Sequence, residues 1–303
     1  DHFYINQFFA TIMNFVKYLF KDASHLYRVL FDCLLLVTLL ILAQKYPQLG
    51  RPLTQRGFFC DDTTLRYPYH EGTVSKSMLY VIGLYFYDVS KTESLKKKQL
   101  HQFYQIVSTF LLGYACERFF KSLGKSTVGR LRPHFFAVCQ PQLTDGRTCA
   151  DPLLAGTYIE EYSCLGGVNV TTRMLRNTHV SFPSGHSSMS FYGMVFLALY
   201  FQHRLCIHRF GFRLLKPLLQ LSCLLVAWFV ALSRIMDNMH HWSDVLAGSL
   251  LGTLIAVFVY VTLVDGLVTK KQPKESQRCY CEKSVTVNEV LSEVKCVPIN
   301  EKC

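Results

Sequence analysis

Six apolar stretches recur along the chain, at 26–46, 74–90, 101–120, 187–205, 214–232 and 243–265. Each approaches the roughly 20 apolar residues that a helix needs to cross about 30 Å of hydrocarbon. The fifth contains the uncharged run LLQLSCLLVAWFVAL and the sixth the uncharged run LAGSLLGTLIAVFVYVTLV. The second and third carry Lys76, Glu117 and Arg118 near their ends, where long cationic side chains can reach the interface. The pattern predicts an all-α, polytopic membrane domain of six helices over 26–265. A segment 1–25 precedes it and a polar tail 266–303 follows. In the first segment Phe3, Tyr4, Phe8, Phe9, Ile12, Phe15, Val16 and Leu19 fall at near-helical spacing. That spacing suits an amphipathic interfacial helix, or more plainly an extension packed on its own protein. No charged-then-apolar leader with a small-residue cleavage site opens the sequence at Asp1, so the first apolar run is expected to act as the insertion signal.

An even number of spans puts both termini on one side, and charge selects which. The second-to-third connection holds Lys91, Lys96, Lys97 and Lys98; the fourth-to-fifth holds Arg204, His208, Arg209, Arg213 and Lys216. Short Lys/Arg-rich loops stay cytosolic, and the tail begins Lys270-Lys271, so both termini are expected in the cytosol. The connections 47–73, 121–186 and 233–242 then lie outside. The chain's single Asn-x-Ser/Thr sequon, at Asn169, falls in the longest of them, where it could accept a glycan.

Composition agrees with a membrane class. Half of the 303 residues are hydrophobic and 17% are charged, against about a quarter charged in soluble domains. The net charge of +11 suits anionic lipid or a phosphorylated substrate. Nucleic acid is disfavoured, because no zinc-finger spacing, RNA-recognition signature or basic heptad helix occurs. Of the twelve cysteines, Cys60, Cys139, Cys149 and Cys164 face the oxidising side in this topology, where disulfides could brace the outer loops. Their three complete pairings are not distinguished by sequence. Cys279, Cys281, Cys296 and Cys303 fall in the tail, and no CxxC with a matching His set suggests a zinc site.

Three polar clusters interrupt this background on the outer side, near the mouths of helices three, four and six. The first runs Lys125-Ser-Thr-Val-Gly-Arg130-Leu-Arg132-Pro133. Lys125 and Arg132 are seven apart, so a helix would present both on one face, a point charge and a planar fork suited to a phosphate dianion. The plain alternative is a basic juxtamembrane stretch that binds headgroups without selectivity. The second, Pro183-Ser184-Gly185-His186, precedes a helix whose N-terminal amides favour an anion, with Gly185 permitting close backbone approach. Taken alone it is an ordinary capped turn. The third is Ser233-Arg234, five residues, His240, three residues and Asp244. A carboxylate four residues away can hold one imidazole nitrogen and leave the other free as a nucleophile; Arg234 adds a cation. The alternatives are a non-catalytic interfacial cap, or His241 in place of His240.

Together the clusters resemble the lipid phosphate phosphatases of the type 2 phosphatidic acid phosphatase superfamily, whose pattern is met without a departure over 125–244. The six-helix layout extends the likeness to about 26–265. The resemblance implies Mg²⁺-independent hydrolysis of lipid phosphomonoesters, with phosphatidate, lysophosphatidate, sphingosine 1-phosphate and ceramide 1-phosphate as the substrate range. It implies a phosphohistidine formed on His240, oriented by Asp244, with His186 as general acid and base. Lys125, Arg132, Ser184, Gly185 and Arg234 would bind the phosphoryl oxygens, with no metal or cofactor. It further implies a plasma-membrane or endomembrane protein whose active site is extracellular or lumenal, and it is compatible with homo-oligomers. Competing readings are a non-catalytic lipid-binding or scaffold relative, a lipid phosphotransferase, and a transporter or channel. The last is disfavoured because the polar groups gather on one side instead of at the bilayer midplane.

Overall fold

The computed structural model describes residues 23–49, 56–74, 97–167, 169–204 and 214–265. Five long helices dominate: α1 (Ala23–Leu49), α2 (Lys97–Val128), and, after two short helices α3 (Phe135–Cys139) and α4 (Thr172–Thr178), α5 (Gly185–Arg204), α6 (Leu215–Met236) and α7 (Trp242–Val259). One π-type turn, Tyr260–Asp265, continues α7. These helices overlie five of the six expected apolar stretches. The remaining stretch, 74–90, lies outside the described residues except for Val74. So do the expected interfacial segment up to residue 22, the cysteine-bearing tail, and the basic loop positions 91, 96, 208, 209 and 213.

α5 packs between α6 and α7, α2 touches both α5 and α7, and α1 lies along α2. The bundle interior is made by Tyr192 and Phe196 of α5 with Ile255, Ala256, Val259, Tyr260 and Val264. On the outside, α6 exposes Leu218, Leu221, Leu225, Trp228 and Phe229, and α7 exposes Leu246, Leu250, Leu254 and Phe258. Leu215–Met236 and Trp242–Val264 have the length and apolarity to cross a membrane, yet only 33% and 39% of their apolar windows are buried within the chain. A core helix of a water-soluble protein would hide that surface; these two need an apolar surrounding such as lipid.

The long connections fold into a cap over one end of the bundle, and here the all-α expectation needs correction. Antiparallel β1 (Phe58–Phe59) pairs with β3 (Tyr158–Ile159), and β2 (Pro141–Leu143) with β4 (Tyr162–Cys164). Their small core comprises Phe58, Cys60, Leu65, Leu131, Phe135, Cys139, Leu154 and Ile159. The pairing left open by the sequence is Cys60–Cys149 and Cys139–Cys164. Cys139–Cys164 ties β4 to the last residue of α3, and Cys60–Cys149 links the segment after α1 to the connection between α2 and α5. Strand pairs this short gain little alone, so the cap leans on its cross-links and aromatic core.

The α5–α7 contact is a backbone approach. A Cβ at Gly252 would sit 2.1 Å from the Ser188 carbonyl oxygen, and one at Gly248 2.5 Å from that of Ser184. Small residues let helices meet this closely where burial against water no longer drives them together. Gly252→Val is therefore expected to lower stability by about 2 kcal/mol or more, since backbone cannot yield as a side chain can. Gly193→Ala, whose Cβ meets nothing within 4 Å, should leave the melting temperature unchanged or slightly raised. Thermal unfolding in detergent compares the two; equal melting for both variants would contradict the packing.

Candidate active site

Three chain segments meet where α5 and α7 begin. Ser184 is fully buried and caps α5, its Oγ accepting from the Ser187 hydroxyl at 2.9 Å and from the Ser187 N–H at 3.5 Å. Its own N–H donates to the Asp244 carbonyl at 3.0 Å. The Pro-Ser-Gly-His turn thus fastens the start of α5 to the start of α7, leaving the Ser184 hydroxyl proton and the Gly185 amide as the groups with which it could meet an oxyanion.

The first cluster does not lie on one helix. α2 stops at Val128, and Gly129 adopts φ 57°, the left-handed conformation that glycine takes at least cost at a helix end. The chain then runs extended beside the segment preceding α5: Ser181 N–H donates to the Arg130 carbonyl at 2.9 Å and Arg132 N–H to the Thr178 carbonyl at 2.8 Å. Lys125, still helical, donates to the Val180 carbonyl at 2.9 Å. The expectation of Lys125 and Arg132 on a shared helical face is therefore replaced by a helix end and an extended strand leading to one place. Arg132 Nη1 meets the Met239 thioether at 3.4 Å, and its Nε is buried without a hydrogen-bond partner among the described residues. Burial lowers its pKa to about 10, so it stays cationic at neutral pH.

His240 sits in the turn between α6 and α7, its N–H donating to the Arg234 carbonyl at 3.3 Å. The ring is buried. Burial, followed by the charges of Arg132, Lys125 and His186, pushes its pKa well below the ordinary value. Both imidazoles and two cations thus lie within electrostatic reach of one another, and His240 stays neutral. The direct His240–Asp244 hydrogen bond expected from their spacing is not made: Nδ1 lies 4.0 Å from Asp244 Oδ2. α7 begins at Trp242, so His240 precedes the helix and the four-residue rule does not apply. Ser181 stands between them, its hydroxyl donating to Asp244 Oδ2 at 2.6 Å and lying 3.4 Å from His240 Nδ1. Asp244, fully buried, also accepts from Arg130 Nη1 at 2.7 Å and from the His241 N–H at 3.1 Å. His241 turns its Nε2 to the Leu131 carbonyl at 3.1 Å, which occupies that ring nitrogen and separates the two neighbouring histidines.

Sequence reasoning missed several participants. Arg130 lay inside the first cluster without a role; Ser181 carried no signal at all. A buried network one turn deeper joins Glu117 to Lys121 Nζ at 3.0 Å and to the Ser188 hydroxyl at 2.5 Å. The Lys121 stem packs over Gly185, 3.1 Å from where a Cβ would stand. Asn169 and Thr171 are exposed, Thr171 capping α4 by accepting from the Met174 N–H at 3.3 Å.

The profile of the PAP2 superfamily matches residues 101–266, a span that holds all three clusters. The chain is 41% identical to a Drosophila melanogaster protein named "Putative phosphatidate phosphatase", over 75% of this chain and 65% of that protein, just under two thirds of its length. It is 34% identical to phospholipid phosphatase 1 of Rattus norvegicus, over 73% of this chain and 79% of the relative. Identity is also 34% to phospholipid phosphatase 2 of Bos taurus, over 80% and 85%. No solved structure matches the chain significantly.

The site's electrostatics make stability depend on acid. His134, two residues after Arg132, is buried with Nδ1 2.9 Å from the Asn238 carbonyl and the Tyr69 ring against its edge. Burial lowers its pKa to about 4. Between the ordinary 6.5 and 4 the unfolded chain binds a proton that the folded chain refuses, so stability falls as pH drops through that window. Below 4 this contribution levels off. His134→Asn keeps an N–H donor but removes the titration, so its melting temperature should decline less from pH 6.5 to pH 4.5 than that of the wild type. Parallel slopes would show that His134 is not a source of the acid sensitivity.

Proposed function

The chain belongs to the PAP2 superfamily and, within it, to the lipid phosphate phosphatases, and from that membership we propose that it hydrolyses lipid phosphomonoesters through a phosphohistidine on His240. The observation that carries this reading is the pairing of a half-buried Arg132, whose buried Nε has no hydrogen-bond partner among the described residues, with a neutral, buried imidazole. A cation in that condition is the complement of an incoming phosphate, because desolvated charge is tolerable only when paired. With Nδ1 turned to Ser181 and Asp244, the Nε2 lone pair of His240 attacks phosphorus. The N–P bond forms as the P–O bond to the lipid breaks, and His186 gives its proton to the departing alkoxide. Water then attacks phosphorus, returning a proton to His186; the P–N bond breaks and inorganic phosphate leaves. Asp244 offsets the positive charge that grows on His240, across 4.0 Å and through Ser181. Lys125, Arg132, Arg234, the Ser184 hydroxyl and the Gly185 amide hold the phosphoryl oxygens, so that catalysis is mostly fixed charge aimed at the transition state.

The substrate range proposed is phosphatidate, lysophosphatidate, sphingosine 1-phosphate and ceramide 1-phosphate. A site at helix ends beside apolar surface receives a headgroup while the tails remain in hydrocarbon. Six spans with both termini cytosolic place that site outside or in a lumen. The disulfide-linked cap on the same end as the site supports this orientation, since such bonds persist in oxidising compartments.

His240→Ala should release no phosphate from any of these lipids, while His186→Ala should retain activity mainly toward good leaving groups. Vanadate should inhibit by adopting five-coordinate geometry, and chelators should leave activity intact. Assay of phosphate release across the lipid panel in detergent micelles tests this. A folded His240→Ala protein with ordinary turnover, or an absolute need for added metal, would remove the proposed mechanism; transfer to an added alcohol in preference to water would reassign the enzyme as a phosphotransferase. Independently, an outward-facing Asn169 should give a glycosidase-sensitive mass shift that is lost in Asn169→Gln. No shift in a glycosylating host would count against that topology.

A further inference from the structure

We infer that the segment Tyr67–Thr73 of the first outer connection is part of the phosphate site, with Thr73 and Gly72 acting as positioning residues for Arg234. The inference rests on the phosphatase reading, and the segment lies outside residues 101–266 that define the family match. It touches two of the three clusters. Tyr67 N–H donates to the Pro133 carbonyl at 3.1 Å, and the Tyr69 ring packs 5.2 Å from that of His134, so one end lies on the residues that follow Arg132. Asn238 Nδ2 donates to the Pro68 carbonyl at 3.3 Å, which ties the same end to the turn that carries His240.

The other end acts on Arg234. Thr73 N–H donates to Asp237 Oδ2 at 2.9 Å and the Thr73 hydroxyl to Oδ1 at 2.6 Å. Asp237 Oδ2 in turn accepts from Arg234 Nη2 at 2.9 Å. Arg234 Nε and Nη2 also donate to Ser233 Oγ at 3.1 and 3.0 Å. These bonds fix one edge of the guanidinium and leave Nη1 on the opposite side, where a Cβ added to Gly72 would stand 2.9 Å away. Two consequences follow. Thr73 shares the negative charge of Asp237, which limits how firmly that carboxylate holds Arg234 against a competing phosphate. Gly72 leaves Nη1 the space to reach an oxyanion.

Removing the Thr73 hydroxyl should therefore weaken oxyanion binding more than it weakens the fold. Thr73→Val is expected to raise KM and the vanadate inhibition constant about tenfold, the size of one hydrogen bond to a charged group, with kcat changed far less and melting unchanged. Thr73→Ser should restore both constants, and Gly72→Ala should raise the vanadate constant by crowding Nη1. If Thr73→Val does not fold, Gly72→Ala and Thr73→Ser decide: a normal vanadate constant in Gly72→Ala, or a raised one in Thr73→Ser, overturns the inference. Vanadate constants within twofold of wild type for Thr73→Val and Gly72→Ala, or losses in the melting temperature and kcat alone, also overturn it. A wild-type protein that releases no phosphate refutes the phosphatase reading itself, whereas normal release with indifferent variants refutes only the role of the segment Tyr67–Thr73.

Discussion

Like charges gathered around one buried, neutral imidazole are the constraint that the rest of the structure serves. Lys125 rests on a carbonyl, Arg132 on a thioether, and Arg234 on Ser233 and Asp237. The buried carboxylate, Asp244, is committed to Arg130 and Ser181. Arg132 therefore has no full counter-charge bonded to it, and an anion that binds there relieves a cost already present in the folded chain. The same cations, after burial, hold His240 unprotonated, so the field that favours a phosphate also keeps the proposed nucleophile in its reactive form. Recognition and activation are consequences of one charge distribution.

Such a site is tolerable because its walls are set by bonds that do not involve the substrate. The cap crosses from the segment after α1 to the connection between α2 and α5 through Cys60–Cys149 and closes on itself through Cys139–Cys164. Its aromatic core ends at Leu131 and Phe135, the residues that flank Arg132 and His134. The extended stretch Arg130–Arg132 is thus held between the cap and the segment leading into α5, which places two arginines with opposite fates. Arg130 is neutralised by Asp244, while Arg132 keeps its charge uncompensated.

Much of this was legible in the chain because it depends on residue type and length. The apolar runs located five helices, and the spacing of Lys125, Arg132, Ser184, His186, Arg234, His240 and Asp244 named the candidate residues. What the sequence hid was backbone direction. Nothing in the run from Lys125 to Pro133 required the helix to stop at Gly129, since helices tolerate an internal glycine at about 1 kcal/mol; only the pairing of Arg130 and Arg132 with residues 178–181 makes the left-handed exit favourable. Likewise the four-residue step from His240 to Asp244 implied a helical contact, but the helix starts after His240 and a hydroxyl from residue 181 fills the gap. Ser181 illustrates the limit: a lone serine becomes a bridge only through contacts more than fifty residues away in sequence.

The depth of the bundle and the chemistry at its mouth are set by a single register. On α7, Asp244, Gly248 and Gly252 recur every four residues; on α5, so do Ser184, Ser188 and Tyr192. The Ser184 amide meets the Asp244 carbonyl, and the backbone oxygens of Ser184 and Ser188 approach Gly248 and Gly252. Side chains at those two glycine positions would force the helices apart or shift them along each other, and any shift would carry His186 relative to His240, because His186 follows Ser184 by two residues and His240 precedes Asp244 by four at the contact between the helix starts. In the proposed mechanism the two imidazoles address opposite sides of one phosphorus atom, where a misplacement of about 1 Å already lowers rates steeply. The glycines deep between the helices thus act on the reaction geometry at a distance, and the close approach that stabilises the pair in an apolar surrounding also fixes the separation of the two histidines.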